Sequence, residues 1–152
     1  MAHFVGREEE APVLSRQTLA EVKVVVKEIE VEIASFVPED QRVEIREKAG
    51  GSIMDCAPGG VTWGSSTFVV VAAQPDLQEL EETLRAEWHR ASDFEFDLTK
   101  GSTGEPRLVL RSATSGNYYV HRRGDGLQVA SFSTCFAYDP ERDGYAWEIA
   151  AE

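Results

Sequence analysis

Few residues in this chain are placed to do chemistry. The three histidines are His3, His89 and His121. No two fall at the spacing of a zinc pair, and neither cysteine has a C-x-x-C neighbour, which argues against a zinc site. Ser65 and Ser66 follow Gly64, as in a nucleophile elbow, but Phe68 stands where the second glycine is needed and a strand follows rather than a helix. Asp139, Glu141, Asp143 and Gly144 resemble the opening of a calcium loop; the closing glutamate is missing, because the twelfth position is Ala150. An acidic turn in water accounts for them. Gly59-Gly60, Gly101 with Gly104, and Gly124 with Gly126 lack the lysine-serine ending of a phosphate loop and read as turns. With no nucleophile–base pair and no ligand set, a non-catalytic protein without a cofactor is expected.

Two features remain. Trp63, Tyr118, Tyr119 and His121 can line a sheet face. Tyr118 and Val120 point one way, Tyr119 and His121 the other, so one pair is core and the other is free to pack across strands or to bind. Trp63, Tyr119 and His121 form the candidate binding face. The second feature is the pair of cysteines, Cys56 and Cys135. They permit one long-range disulfide, which needs an oxidising compartment, or two buried thiols.

These residues must be positioned by the rest of the chain. Ser15 to Phe36 reads as a helix, with Leu19, Val22, Val26, Ile29, Ile33 and Phe36 as its apolar stripe and Thr18-x-x-Glu21 as a capping box, although Ser15 is an equal candidate for the cap. Val24, Val25 and Val31 add β-branched weight, but length and charge periodicity favour helix. Glu21, Lys23, Lys27, Glu28, Glu30 and Glu32 occupy much of the remainder. Arg42 to Lys48 alternates as a short strand, and Phe68 to Val71 reads as a central strand buried on both faces, with a bulge or turn at Gly64. Asp76-x-x-Glu79 opens a second helix whose seam is Leu77, Leu80, Leu84 and Trp88, ending at Ala91-Ser92. Phe94, Phe96 and Leu98 alternate as a half-buried strand. From Pro106 to Tyr138, turn signals TSGN and GDG separate three apolar runs, the pattern of an antiparallel meander. The expected fold is α+β: an antiparallel sheet of five to six strands with two helices on one face, formed by residues 15–152 as one domain behind a flexible arm, 1–14.

The 152 residues carry a net charge of −12, which repels phosphate backbones and argues against nucleic acid as partner. Such charge serves solubility, or presents an acidic face to a basic protein. No run is long enough to span a bilayer. Met1 to Glu10, MAHFVGREEE, has acids where a secretion signal needs an apolar segment.

Taken together, Cys56, Val61-Thr-Trp-Gly64, Trp88 and the closing run from Leu127 to Cys135 give the chain a layout similar to the mature domains of small secreted proteins and lipoproteins of unknown function from actinobacteria. The resemblance runs from about Ser15 to Tyr138. It implies an envelope location and a Cys56–Cys135 bridge, and no catalytic residue. The leader and the lipid-attachment cysteine are missing, so membrane association is expected only through an anchor that this chain lacks. The expected function is that of a non-catalytic extracytoplasmic protein of the cell envelope, binding another protein or an envelope component. The alternative is a cytosolic, acidic immunity or antitoxin-like protein that blocks a basic partner.

Overall fold

A computed structural model of the chain describes residues 14–48, 50–145 and 148–149. All but the last residue of the expected 1–14 arm lies outside them, as do His3 and Ala150. The element order is α1 (Leu19–Ser35), β1 (Arg42–Glu47), β2 (Ser52–Ala57), β3 (Gly60–Val71), α2 (Leu77–Glu87), a 3-10 turn (Ala91–Asp93), β4 (Glu95–Lys100), β5 (Pro106–Ser112), β6 (Gly116–Arg123), β7 (Gly126–Phe132), β8 (Phe136–Ala137) and the short α3 (Pro140–Asp143). The class is α+β with an antiparallel sheet, as expected. The strand count is not: among the described residues the sheet has eight strands rather than five or six, and there are three α-helices rather than two.

The extra strands come from the length of β3. Its twelve residues outrun any one neighbour. Along one edge it pairs first with β2 and then with β1; along the other it pairs with β8 and then with β7. The order then continues through β6 and β5 to β4. Gly64 marks neither turn nor bulge, since the ladder from β3 to β7 runs unbroken from Gly64 to Val70. Phe68 and Val70 are half-exposed, so β3 is not buried on both faces. Between β6 and β7, Gly124 at φ 59° takes the first central position of a two-residue hairpin, where the twist of the strands demands positive φ. At Gly126 a methyl group would meet Val69 O at 2.1 Å and the Phe68 ring at 2.6 Å, so a bare backbone is needed for β7 to pair there.

The helices form for the reasons read from sequence. Thr18 Oγ1 accepts the Glu21 N–H and Glu21 Oε1 accepts the Thr18 N–H, closing the capping box. Ser15 instead bridges to Phe136 beside β8. Asp76 caps α2 by accepting from the Gln78 and Glu79 amides. That helix stops at Glu87, short of the expected Ala91. Trp88, just beyond it, turns inward to stack on Phe94 at 5.0 Å, and Phe94 meets Tyr118 edge-on. The apolar stripes of α1 and α2 bury themselves against one face of the sheet: Val69, Leu108, Leu110, Tyr118, Val120, Leu127 and Val129. Glu32 on α1 accepts from Trp88 Nε1 at 2.8 Å and Arg90 Nε at 2.9 Å, which pins α1 to the end of α2. Burial pushes the Glu32 carboxyl up, but the Arg90 and Trp88 hydrogen bonds hold it below its usual value.

Cys56 and Cys135 are joined, with Cα atoms 6.0 Å apart and a separation of 79 positions along the chain. The link runs from β2 on one edge of β3 to the segment entering β8 on the other. It passes over Gly60, where a methyl group would come within 2.9 Å of Cys135 Sγ. A link closing so long a loop removes much of the unfolded chain's freedom. Replacing both cysteines by serine is expected to lower stability by about 4.5 kcal/mol on the chain-entropy model, measured by urea unfolding under non-reducing conditions.

Candidate functional site

The two faces of the sheet differ in kind. Register places residues 65, 67 and 69 of β3, 127, 129 and 131 of β7, 118 and 120 of β6, and 108 and 110 of β5 on the helix side. The other parity makes the outer face: Gly64, Ser66 and Phe68; Gln128, Ala130 and Phe132; Asn117, Tyr119 and His121; Arg107, Val109 and Arg111. No outer-face residue belongs to the buried cluster.

Of the three residues expected to share a binding face, Tyr119 and His121 lie together on the outer face, half-exposed. Trp63 does not join them. It is 1% exposed and lies on the helix side, opposite Ile53, with the Lys23 ammonium 5.2 Å from its ring centroid. The correction follows from strand parity: Trp63 shares its face with Val61, Ser65 and Thr67, so it cannot line the other one. Tyr118 and Val120 are the core pair, fully buried; burial pushes the Tyr118 phenol well above its ordinary range.

Two residues not singled out from sequence complete the outer face. Phe132 meets Tyr119 edge-on at 5.9 Å, and the Arg107 guanidinium lies over the Tyr119 ring at 5.7 Å. Met54 and Phe132 each keep 41% of their surface exposed, and both flank Gly64. Beside Phe132 is a hollow of about 460 Å³ floored by Gly64, Ser66 and Ala130 and edged by Gln128 and Lys48. A smaller hollow of about 230 Å³ lies across the sheet against Arg107 and His121. The signal for Phe132 was present in the sequence. A two-residue turn at Gly124-Asp125 opposes His121 to Gln128 and Asn117 to Phe132, which puts Phe132 on the side of Tyr119. The arrangement offers aromatic edges, a small-residue floor and cations, the kinds of side chain that anchor interfaces.

Of the other residues weighed from sequence, Asp139, Asp143 and Ser65 are engaged structurally. Asp139 caps α3, and the Asp143 carboxylate accepts from Leu19 N, Asp139 N and Arg142. Those contacts hold it below the usual carboxylate range, the Arg142 hydrogen bond most of all. Ser65 lies on the helix side within reach of the carboxylate of Glu30, a residue expected off the apolar stripe. Glu30 is fully buried. Its Oε1 accepts from Lys27 Nζ and Thr67 Oγ1, each at 2.8 Å, and its Oε2 accepts from Ser131. Lys27 Nζ also donates to the Ser66 carbonyl at 2.8 Å, on the β3 edge between its ladders with β1 and β2. Glu30 lies four positions after Val26 and three before Ile33, on the buried stripe itself, and the hydroxyls that meet it interrupt otherwise apolar strand positions.

No family model and no curated protein matches the chain. Among solved structures, it is similar to the crystal structure of a DUF4853 family protein from Actinomyces odontolyticus, with 16% identity and a TM-score of 0.56, covering 84% of this chain and 73% of that one. At that identity the likeness shows a shared fold. The neighbour comes from an actinobacterium and belongs to a family of unknown function, which agrees with the coarser part of the resemblance read from sequence.

A buried carboxylate is tolerable only while all its partners remain. Replacing Glu30 by alanine strands Lys27, Thr67 and Ser131 together and is expected to cost about 3 kcal/mol, with Glu30→Gln costing less. Denaturant unfolding of both variants checks this; equal losses below about 1 kcal/mol contradict the role assigned to the charge.

Proposed function

We propose that this chain is a non-catalytic extracytoplasmic protein of the cell envelope that works by binding a partner through the outer face of its sheet. The observation that carries the compartment is the Cys56–Cys135 bridge. Cys56 is exposed and Cys135 half-buried, so neither is shielded from small reductants by the core. A bridge so accessible persists where the surroundings are oxidising and is opened in a glutathione-buffered cytosol. Among the described residues no helix is long and apolar enough to cross a membrane.

The binding part rests on the unequal faces. One is closed by α1 and α2; the other keeps Tyr119, Phe132 and Met54 at its surface beside Arg107 and His121. Aromatic residues and arginine are the side chains that most often anchor interfaces. Val43 and Leu98 are also exposed, but they sit singly at the sheet margins, in β1 and β4, and form no such group.

The compartment is tested on protein from its native cells, acid-quenched and alkylated at harvest. Its unreduced mass is expected to be two hydrogens below that of the dithiol, with no alkyl group added. Alkylation of both cysteines contradicts the proposal and favours the cytosolic partner of a basic protein.

A further inference from the structure

Resting on the outer face as the binding surface, we propose that Arg107 and His121 form a carboxylate subsite that takes an acidic side chain of a partner protein, with Tyr119 and Phe132 seating an apolar neighbour of that side chain. Arg107 on β5 and His121 on β6 stand directly opposite in the ladder. Arg107 Nε and His121 Nδ1 are both cut off from solvent, and neither meets a hydrogen-bond partner. Buried polar atoms are nearly always paired, so two orphans on facing, half-exposed side chains beside one hollow mark a place where, with a turn of those side chains, a ligand group completes the set.

Charge points to the same ligand. In a chain of net charge −12, Arg107, His121 and Arg123 share the outer face of two paired strands. Among the described residues neither of these arginines has an ion-pair partner. A guanidinium presents two parallel N–H groups that match a carboxylate, and Arg107 is already oriented by the Tyr119 ring. The other groups around His121 are Gln128 from β7, Arg123 on its own strand, and Glu105, which lines the same hollow from the β4–β5 connection. Burial, Arg107 and Arg123 hold the imidazole below its ordinary pKa, against a hydrogen bond with Gln128 that raises it. It is therefore neutral at neutral pH, and an incoming carboxylate favours its protonation. A polyanion is disfavoured by the acidity of the whole surface; a single carboxylate next to an apolar group suits the local mixture of cations and aromatics.

The test is a nuclear magnetic resonance titration of the intact oxidised protein with two capped hexapeptides. One holds a phenylalanine beside a glutamate, and the other has glutamine in place of the glutamate. The expected result is saturable movement of the Arg107 Nε–H and His121 ring signals, with the imidazole pKa raised in the complex. Affinity should fall about ten-fold for the glutamine peptide and for Arg107→Gln, and less for Arg107→Lys, in variants whose amide spectra show β4 to β7 intact. Equal binding of the two peptides, with shifts confined to Tyr119 and Phe132, overturns the carboxylate subsite and leaves the binding face standing. Shifts confined to residues off the outer face, or no shift at millimolar peptide, overturn both. Inorganic phosphate moving the same signals as strongly as the glutamate peptide also overturns the assignment, because it makes the site a general anion contact.

Discussion

The sulfur–sulfur link across Gly60 is the constraint that holds the start of β3 and its two short neighbours together. β3 is flanked near its start by two short elements, β2 and β8; β8 is also held by Ser15, whose backbone bonds Cys135 and Ala137, and by the buried Phe136 ring. Among the described strands, each pairs only with β3. An edge strand with one neighbour gains half the ladder of an inner strand, and a two-residue strand gains less again. The Cys56–Cys135 bond ties these weak elements to each other over the backbone they both flank. It therefore acts as a clasp around one end of β3, and Gly60 is a glycine because that clasp and Leu14 occupy the space of a side chain.

Farther along β3 a different device operates. The edge of the strand passes from β2 to β1 at Ser65–Ser66, leaving a break between two ladders. Lys27 reaches across from α1 to accept the role of a neighbour there, donating to the Ser66 carbonyl, and Glu30 neutralises it while binding Thr67 and Ser131. A buried ion pair of this kind adds little net stability compared with an apolar filling, because desolvation offsets the attraction. What it supplies is placement. Only one register of α1 on the sheet brings Lys27 and Glu30 to the break and the hydroxyls together, whereas an apolar stripe alone tolerates sliding. The clasp fixes the start of β3, and the polar knot fixes its middle against α1.

Much of this was legible in the residues, and the failures have physical causes. The capping box at Thr18, the cap at Asp76, the α2 seam and the β5–β6–β7 meander follow from local chemistry and appear where that chemistry puts them. Tyr119 and His121 share an exposed face because alternation in a strand is a strict rule. Nothing in the residues marks β2, because Ser52 to Ala57 lacks an apolar alternation; its ladder with β3 makes it a strand. β8 is too short to carry any periodic signal. Trp63 was grouped with the outer aromatics because register between distant strands is not written in either one alone. Glu30 falls outside the expected apolar stripe by its type, although its spacing puts it there; Thr67 and Ser131, far away in sequence, supply hydrogen bonds that make its burial tolerable. In each case a non-local partner overrode a local preference.

Hydrogen–deuterium exchange on the oxidised and the reduced protein tests the clasp most directly. With the bond opened under native conditions, the amides of Ser52–Ala57 and Phe136–Ala137 should lose protection well before those of β5, β6 and β7, which keep their ladders and their share of the core. Protection that is unchanged in β2 and β8 on reduction, or that falls uniformly across all eight strands, would contradict the account.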